Sequence, residues 1–199
     1  MPRNVPLSRE VIVAAALEMA ERDGLDRLTM RGLAAQLGVT PMAIYYHVPD
    51  KEALVDLVVD EVHTRQVPLE LTDEGWEVCL RRRLLSQWQQ LVRYPGLGSH
   101  LSNQPGLGAS QQSIEAGIAF FEAAGFSNRS ARLAWSFAIT YLHGRLSVDA
   151  RLRGRAGSNR AAGITAKDYV AFGVDAVIAG IRATVAEADA ELDDMVAEA

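Results

Sequence analysis

The sequence predicts an all-α fold, with an N-terminal three-helix unit built on a helix-turn-helix and a larger helical domain after it. Three observations carry the prediction. Apolar residues recur at three- and four-residue spacing along most of the chain, the period of one buried helix face. Ser, Thr or Asp precedes several of these runs and Gly or Pro follows them, the pattern of helix caps and stops. Alanine, the strongest helix former, is abundant. With 199 residues, 49% hydrophobic and 23% charged, the chain is long enough for a good core in one or two domains.

Residues 1–6, with two prolines and Arg3, read as a frayed arm that could also touch a minor groove. Ser8 caps the first helix, with Leu7 and Ile12 spaced as a hydrophobic staple and Glu10 near the positive helix end. Ile12, Ala15, Ala16, Met19 and Ala20 form its inner face until Asp23-Gly24 stops it, and Leu25 and Leu28 close the small core. Thr29 caps the next helix, where Leu33, Ala34 and Leu37 share a face and Gly38 supplies a left-handed end. Thr40 caps a second short helix with Pro41 at its first position, and Val39 and Ile44 staple it. A helix, a Gly-containing turn and a second short helix make a helix-turn-helix. Asp50 opens a longer helix with Leu54, Leu57, Val58 and Val62 inward, ending before Pro68.

A boundary in Val67 to Asp73 divides the chain into domains at 6–66 and 67–199. Trp76, Leu80, Leu84, Trp88, Leu91 and Val92 line the next helix up to Pro95-Gly96. Arg81, Arg82 and Arg83 read as solvated or salt-bridged. Gly96 to Gly108 reads as a broken stretch, and not as a phosphate loop, since no strand precedes it and no Lys-Ser/Thr follows. Helices follow from Ala109 to Ala124 and from a Ser127 cap to about Ala150. Arg151 to Gly163 reads as a mobile loop, after which Thr165 and Asp168 form a capping box, stapled by Ile164 and Tyr169.

The short helix from Pro41 carries the chemistry. Ile44 and Val48 face inward, which leaves Thr40, Pro41, Met42, Ala43, Tyr45, Tyr46 and His47 outward or at the edge. Hydroxyl and imidazole groups suit phosphate oxygens, while Thr40, Pro41, Met42 and Ala43 suit base edges and thymine methyls. Lys51 would join free backbone N–H groups in pointing at a phosphate. Thr29 begins the preceding helix, and Arg31 on it is placed to reach a base edge or a nearby phosphate. The competing reading makes Tyr45 and Tyr46 core aromatics of a small bundle.

The stretch Thr29 to Leu54, with its Leu-Gly-Val turn, Tyr-Tyr-His and Asp-Lys-Glu-Ala-Leu, resembles the DNA-binding segment of TetR-family transcriptional regulators. The likeness runs without a gap from about Leu7 to Val62. It implies a regulator of double-stranded DNA, a repressor that reads a palindromic operator as a homodimer; the lack of a secretory h-region and of a membrane-length apolar run makes the expected location cytoplasmic. Charge alone argues mildly the other way, since the net charge is −5. Within residues 1–51, Arg3, Arg9, Arg22, Arg27, Arg31 and Lys51 are balanced by Glu10, Glu18, Glu21, Asp23, Asp26 and Asp50. A local patch of donors suffices for DNA, and an acidic body discourages non-specific binding.

The remainder resembles tetracycline-repressor-like regulatory domains through Arg93-Tyr94-Pro95-Gly96-Leu97, Gly125-Phe126-Ser127 and Tyr141-Leu142-His143-Gly144. That resemblance implies a ligand pocket which, when filled by a small-molecule effector of unknown identity, changes the spacing of two DNA-binding heads. Trp88, Tyr94, His100, Asn103, Phe120, Trp135, Tyr141 and His143 are pocket candidates, most joining an apolar body to a polar tip; each also fits as satisfied core. The final helix, with Phe172, Val174, Val177, Ile178 and Ile181, and the helix around Trp135, Phe137, Ile139, Tyr141 and Leu142 hold more apolar face than one small domain hides. A homodimer with a four-helix interface is expected, with internal core as the competing reading of these faces.

No cofactor and no metal are expected, because His63, His100 and His143 lack carboxylate partners at helical spacing. Cys79 stands alone, excluding an internal disulfide, and reads as a buried small side chain. No apolar run reaches the ~18 residues of a membrane span, so no membrane partner is expected. No Ser-His-Asp arrangement or paired carboxylates in an apolar setting point to catalysis, so an enzyme is not expected. The alternatives are a DNA-binding regulator without a small-molecule effector and, far behind it, a helical enzyme.

Overall fold

The computed structural model describes residues 6–64, 68–103, 111–152 and 163–197, with side chains through 62, 101, 152 and 184 and from 113 in the third segment. All regular structure among them is helical, so the all-α reading stands. In order the helices are α1 (Arg9–Asp23), a 3-10 turn (Leu25–Arg27), α2 (Met30–Leu37), α3 (Pro41–Tyr45), α4 (Lys51–Thr64), α5 (Trp76–Leu91), α6 (Leu97–Asn103), α7 (Gln111–Ala123), α8 (Asn128–Leu152) and α9 (Ala166–Ala197). The described residues fall in two compact units, within Met1–Gln66 together with Gln90–Leu97, and within Val67–Gln89 together with Gly98–Ala199.

Caps set the first unit. Ser8, Thr29 and Thr40 accept from the backbone N–H three residues on, and Asp50 Oδ1 does the same from Ala53 at 2.8 Å. Gly38 ends α2 in the left-handed region at φ +68°, where a β-carbon would be strained. Its N–H donates to the Ala35 carbonyl and the Val39 N–H to the Ala34 carbonyl, the paired closure of a Schellman end. With those ends fixed, α1 packs on α2 and α4, and α2 on α3. Ile12, Leu28, Leu33, Ile44, Val48, Leu54 and Val58 are fully buried there. Burying each such side chain contributes ~1.5–3 kcal/mol against conformational entropy of similar total size. Leu57 is only half-buried, whereas Val55 and Val59 are buried, so the inner face of α4 is turned slightly from its predicted register.

In the second unit α8 packs on α7 and α9. Trp76, Phe121 and Phe126 form an aromatic cluster with centroids 5.0–5.8 Å apart. Gly117 lies directly beneath the Trp135 ring and Gly173 beneath the Tyr141 hydroxyl, positions where any β-carbon would overlap the aromatic group. The Tyr141 hydroxyl sits within hydrogen-bond distance of the Tyr169 and Val170 carbonyls near the start of α9. Thr165 and Asp168 bond reciprocally, Asp168 N–H to Thr165 Oγ1 at 3.2 Å and Thr165 N–H to Asp168 Oδ2 at 2.7 Å.

The glycine-rich stretch after Pro95 is not wholly broken, since Leu97–Asn103 is helical. Gly98 explains it: a β-carbon there would lie 2.5 Å from Leu146 Cβ, so the glycine serves close packing rather than chain reversal. Residues 104–110 and most of the expected loop at 151–163 lie outside the described residues, as does the N-terminal arm through residue 5.

Candidate nucleic-acid interface

The exposed face of the first unit is built by α3 and its flanks. Ile44 and Val48 anchor α3 in the core, and a five-residue helix cannot bury its other faces as well. Met42 is therefore 76% exposed, Tyr45 45% and Tyr46 87%. His47 is half-buried and meets the Tyr46 ring edge-on at 5.4 Å, which orders both. Thr40 and Pro41 are exposed and Ala43 half-buried at the same surface. These side chains combine apolar contact area, hydroxyl donors and an imidazole, the inventory for base edges and phosphate oxygens.

Thr29 and Thr40 accept backbone N–H bonds as caps, but each hydroxyl keeps its own proton to donate. Arg31 is exposed in the first turn of α2. Lys51 is exposed at the start of α4, and its ammonium donates to the Asp26 carbonyl at 3.3 Å. Gln36 was not legible as a positioning residue: its amide donates to the Ala15 carbonyl and Glu18, and accepts from Arg22, tying α2 to α1. Only its place on an exposed helical face was visible in the sequence.

The pocket candidates do not share one contact. Trp135 on α8 sits against Gly117 of α7, and Phe120, buried on α7, meets Phe121 of the same helix edge-on at 5.3 Å. Trp88 donates its indole N–H to Asp149 Oδ2 at 2.9 Å. Tyr141 turns toward α9, and burial raises its phenol above the ordinary range. His143 is buried on α8, and His100 is half-buried on α6. Tyr94 is buried in the segment that belongs to the first unit. The Asn103 side chain lies outside the described residues.

The interior also holds polar side chains that the spacing analysis missed. Arg83, Gln87 and Asp149 are buried, and Arg145, largely buried, pairs with Asp149. Of the three consecutive arginines, Arg81 and Arg82 pair at the surface with Asp175 and Glu74, while burial lowers the Arg83 guanidinium to about 10. The missed signal was the period: Arg83 and Gln87 lie one turn apart on the face that carries Leu80, Leu84 and Leu91.

The family described as bacterial regulatory proteins, tetR family, matches residues 12–58, the span from α1 into α4. Tetracycline repressor protein class D of Escherichia coli is 35% identical over 133 residues, which cover 65% of this chain and 61% of the repressor. The transcriptional repressor DrrR1 of Streptomyces coeruleorubidus is 35% identical over 105 residues, covering 52% of this chain and 39% of that protein. The chain thus spans about three fifths of the first relative and less of the second. Among solved structures, TetR from Acinetobacter baumannii AYE superposes with a TM-score of 0.75 at 28% identity, over 90% of this chain and 99% of that one. BioQ with its double-stranded DNA operator shares the fold at a TM-score of 0.68 and 23% identity, over 89% and 99% of the two chains. A helix-turn-helix with an outward-facing Tyr-Tyr-His is the part of this chain that the tetR family of bacterial regulatory proteins matches, and the helical architecture that follows it is shared with TetR.

Proposed function

We propose that this protein is a sequence-specific, DNA-binding transcriptional repressor, acting as a homodimer and released from a palindromic operator by a small molecule. The observation that carries the DNA-binding part is the exposure of Met42, Tyr45 and Tyr46 on a short helix whose other side is fixed in the core. Large aromatic and thioether side chains in water gain nothing for the folded state, whereas in a major groove they meet thymine methyls and phosphates. Arg31 serves as the base-reading cation, with Thr29, Thr40, Pro41, Ala43, His47 and Lys51 completing the contact surface. Regulation by binding rather than catalysis follows from the same reading, as does a cytoplasmic site of action.

Support for dimerisation comes from α8 and α9. Leu133, Phe137 and Val148 are exposed in one stripe of α8, and Phe172 is 78% exposed on α9 beside the exposed small residues Ala176, Ala179 and Ala183. Two such faces from each copy form a four-helix interface. Support for the effector comes from the relatives: tetracycline repressors match this chain, and a variant of the Acinetobacter protein, 26% identical, was solved with minocycline. The polar groups of the second unit, Trp88, Arg83, Gln87 and His143, with Phe120 and Trp135, are its recognition candidates.

The test is a fluorescence-anisotropy titration against the DNA flanking the protein's own gene, repeated across salt concentrations. Saturable binding to one duplex, competed poorly by scrambled sequence, supports the reading. Equal affinity for both duplexes at every salt concentration ends it.

A further inference from the structure

The even balance of charge in the first unit conceals an uneven distribution of partners. Arg93 places Nε and Nη2 on Glu21 Oε1 at 3.0 and 2.8 Å. Arg22 pairs with Asp23 at 2.9 Å and donates to Gln36. Arg9 lies beside Glu10, whose carboxyl is held below its ordinary range first by the Ser8 hydroxyl, then by its own backbone N–H, and further by Arg9. Arg27, Arg31 and Lys51 are different, since none of them forms an ion pair among the described residues. Arg31 and Lys51 already belong to the reading surface. Arg27 does not, and the helix-turn-helix pattern gives it no part.

Arg27 is exposed, but the backbone that carries it is fixed. It closes the 3-10 turn between two buried residues, Leu25 and Leu28. Its N–H donates to the Gly24 carbonyl at 3.2 Å, and the Leu28 N–H to the Leu25 carbonyl at 3.1 Å. Lys51 Nζ donates to the Asp26 carbonyl at 3.3 Å, the oxygen of the peptide group completed by the Arg27 nitrogen. The Lys51 ammonium thus sits against the peptide from which Arg27 springs. Thr29, two residues on, caps α2, and Arg31 lies in the first turn of that helix. Neighbouring carboxylates are turned to other work. Asp50 Oδ1 accepts from the Ala53 N–H, and the Asp26 carboxylate lies against Gly96, where a β-carbon would be 3.4 Å from Oδ1. Two like charges held this near each other repel, and a row of anions laid along them removes the repulsion. A DNA strand is such a row, with one phosphate about every 3.4 Å of helix axis.

We propose that Arg27 is a further phosphate-contacting residue of the reading head, taking the backbone phosphate next to the one held by Lys51. This rests on the DNA-binding reading above and extends its contact surface past the helix-turn-helix. Arg27 supplies affinity without sequence preference, because a phosphate carries no base information. Its fork of N–H donors suits two phosphate oxygens at once.

The test is the salt dependence of binding by the full-length protein, read by anisotropy on a duplex from the flanking DNA and on its scrambled counterpart. Arg27→Ala is expected to lower the salt slope by about one on both duplexes, and Arg27→Lys to keep it. Arg27→Ala combined with Lys51→Ala lowers it by about two. Arg22→Gln, which removes the same formal charge from a paired position, is the control and leaves the slope unchanged. A slope lowered no more by Arg27→Ala than by Arg22→Gln overturns the proposal, as does a double variant no different from Lys51→Ala alone. A loss confined to the flanking duplex also overturns it, since that would make Arg27 a base reader. Equal thermal melting of the variants and the wild type shows that the slopes compare folded proteins. If the wild type binds neither duplex, the DNA-binding reading fails and Arg27 with it. If the wild type binds with an unchanged slope in Arg27→Ala, the phosphate contact fails alone.

Discussion

Tyr46, 87% exposed, and Lys51, exposed and hydrogen-bonded to the Asp26 carbonyl, are residues whose replacement leaves the core untouched. Tyr46→Phe and Lys51→Ala are therefore expected to change thermal stability by less than ~0.5 kcal/mol. Under the proposed function their cost is expected to fall on DNA binding. Each weakens cognate and scrambled duplexes in parallel, and Lys51→Ala lowers the salt slope of binding by about one, as measured by anisotropy at several ionic strengths. Arg31→Ala behaves differently, losing ~1–3 kcal/mol of discrimination at one base pair; a parallel loss on both duplexes would remove its reading role. Asp168 offers a titration at the same scale. The Thr165 hydroxyl, then its backbone N–H, holds the Asp168 carboxyl below the usual range. With the folded value depressed, its stabilising bonds are fully present above the ordinary carboxylate value and are lost as pH falls through the lowered one. An NMR titration of Asp168 with a midpoint at or above that of a free aspartate would contradict this.

At the scale of elements, α3 persists although five residues are too few to be helical alone. Thr40 and Pro41 start it and Ile44 docks it. Thr40→Ala removes the cap and is expected to cost ~1 kcal/mol in chemical denaturation, with DNA affinity falling further than stability because the reader loses its start. The α7–α8 contact depends instead on close approach. Gly117→Ala forces a β-carbon into the Trp135 ring and is expected to cost ~1–3 kcal/mol, with a changed tryptophan emission. Unaltered emission and melting would mean that the indole lies elsewhere. The sequence made the caps legible because a cap is a local relation among three or four residues. It left α6 and its Gly98 illegible, since a glycine that breaks a helix and one that admits a neighbour look alike until Leu146 is in place.

For the whole molecule, the proposed dimer places the exposed stripe of α8 and Phe172 of α9 between copies. Phe172→Glu would bury a charge there and is expected to shift sedimentation toward the monomer while helical content stays constant. Operator affinity should fall with it, because two half-sites held together bind far more tightly than one. A stable dimer in Phe172→Glu would move the interface elsewhere. The surplus of apolar face was visible in the sequence, but its members were only partly so. Of the residues first grouped for that surface, Val174, Val177, Ile178, Ile181, Trp135, Ile139 and Leu142 are interior and Tyr141 is half-buried, leaving Phe137 and Phe172 as its large exposed members.

By itself the sequence determined the all-helical class, the helix-turn-helix and the outward set on α3, because caps, stops and 3.6-residue periodicity act over one or two turns. Tertiary structure decided what depends on residues distant in the chain: Trp88 on Asp149, Arg83 turned inward while Arg81 and Arg82 stay at the surface, and residues 90–97 folded with the first unit. Nothing local distinguishes Pro95 as a helix stop from Pro95 as the acceptor of the Leu25 amide. That distinction arises only when a buried N–H without water must find a carbonyl, and the nearest one comes from a remote part of the chain.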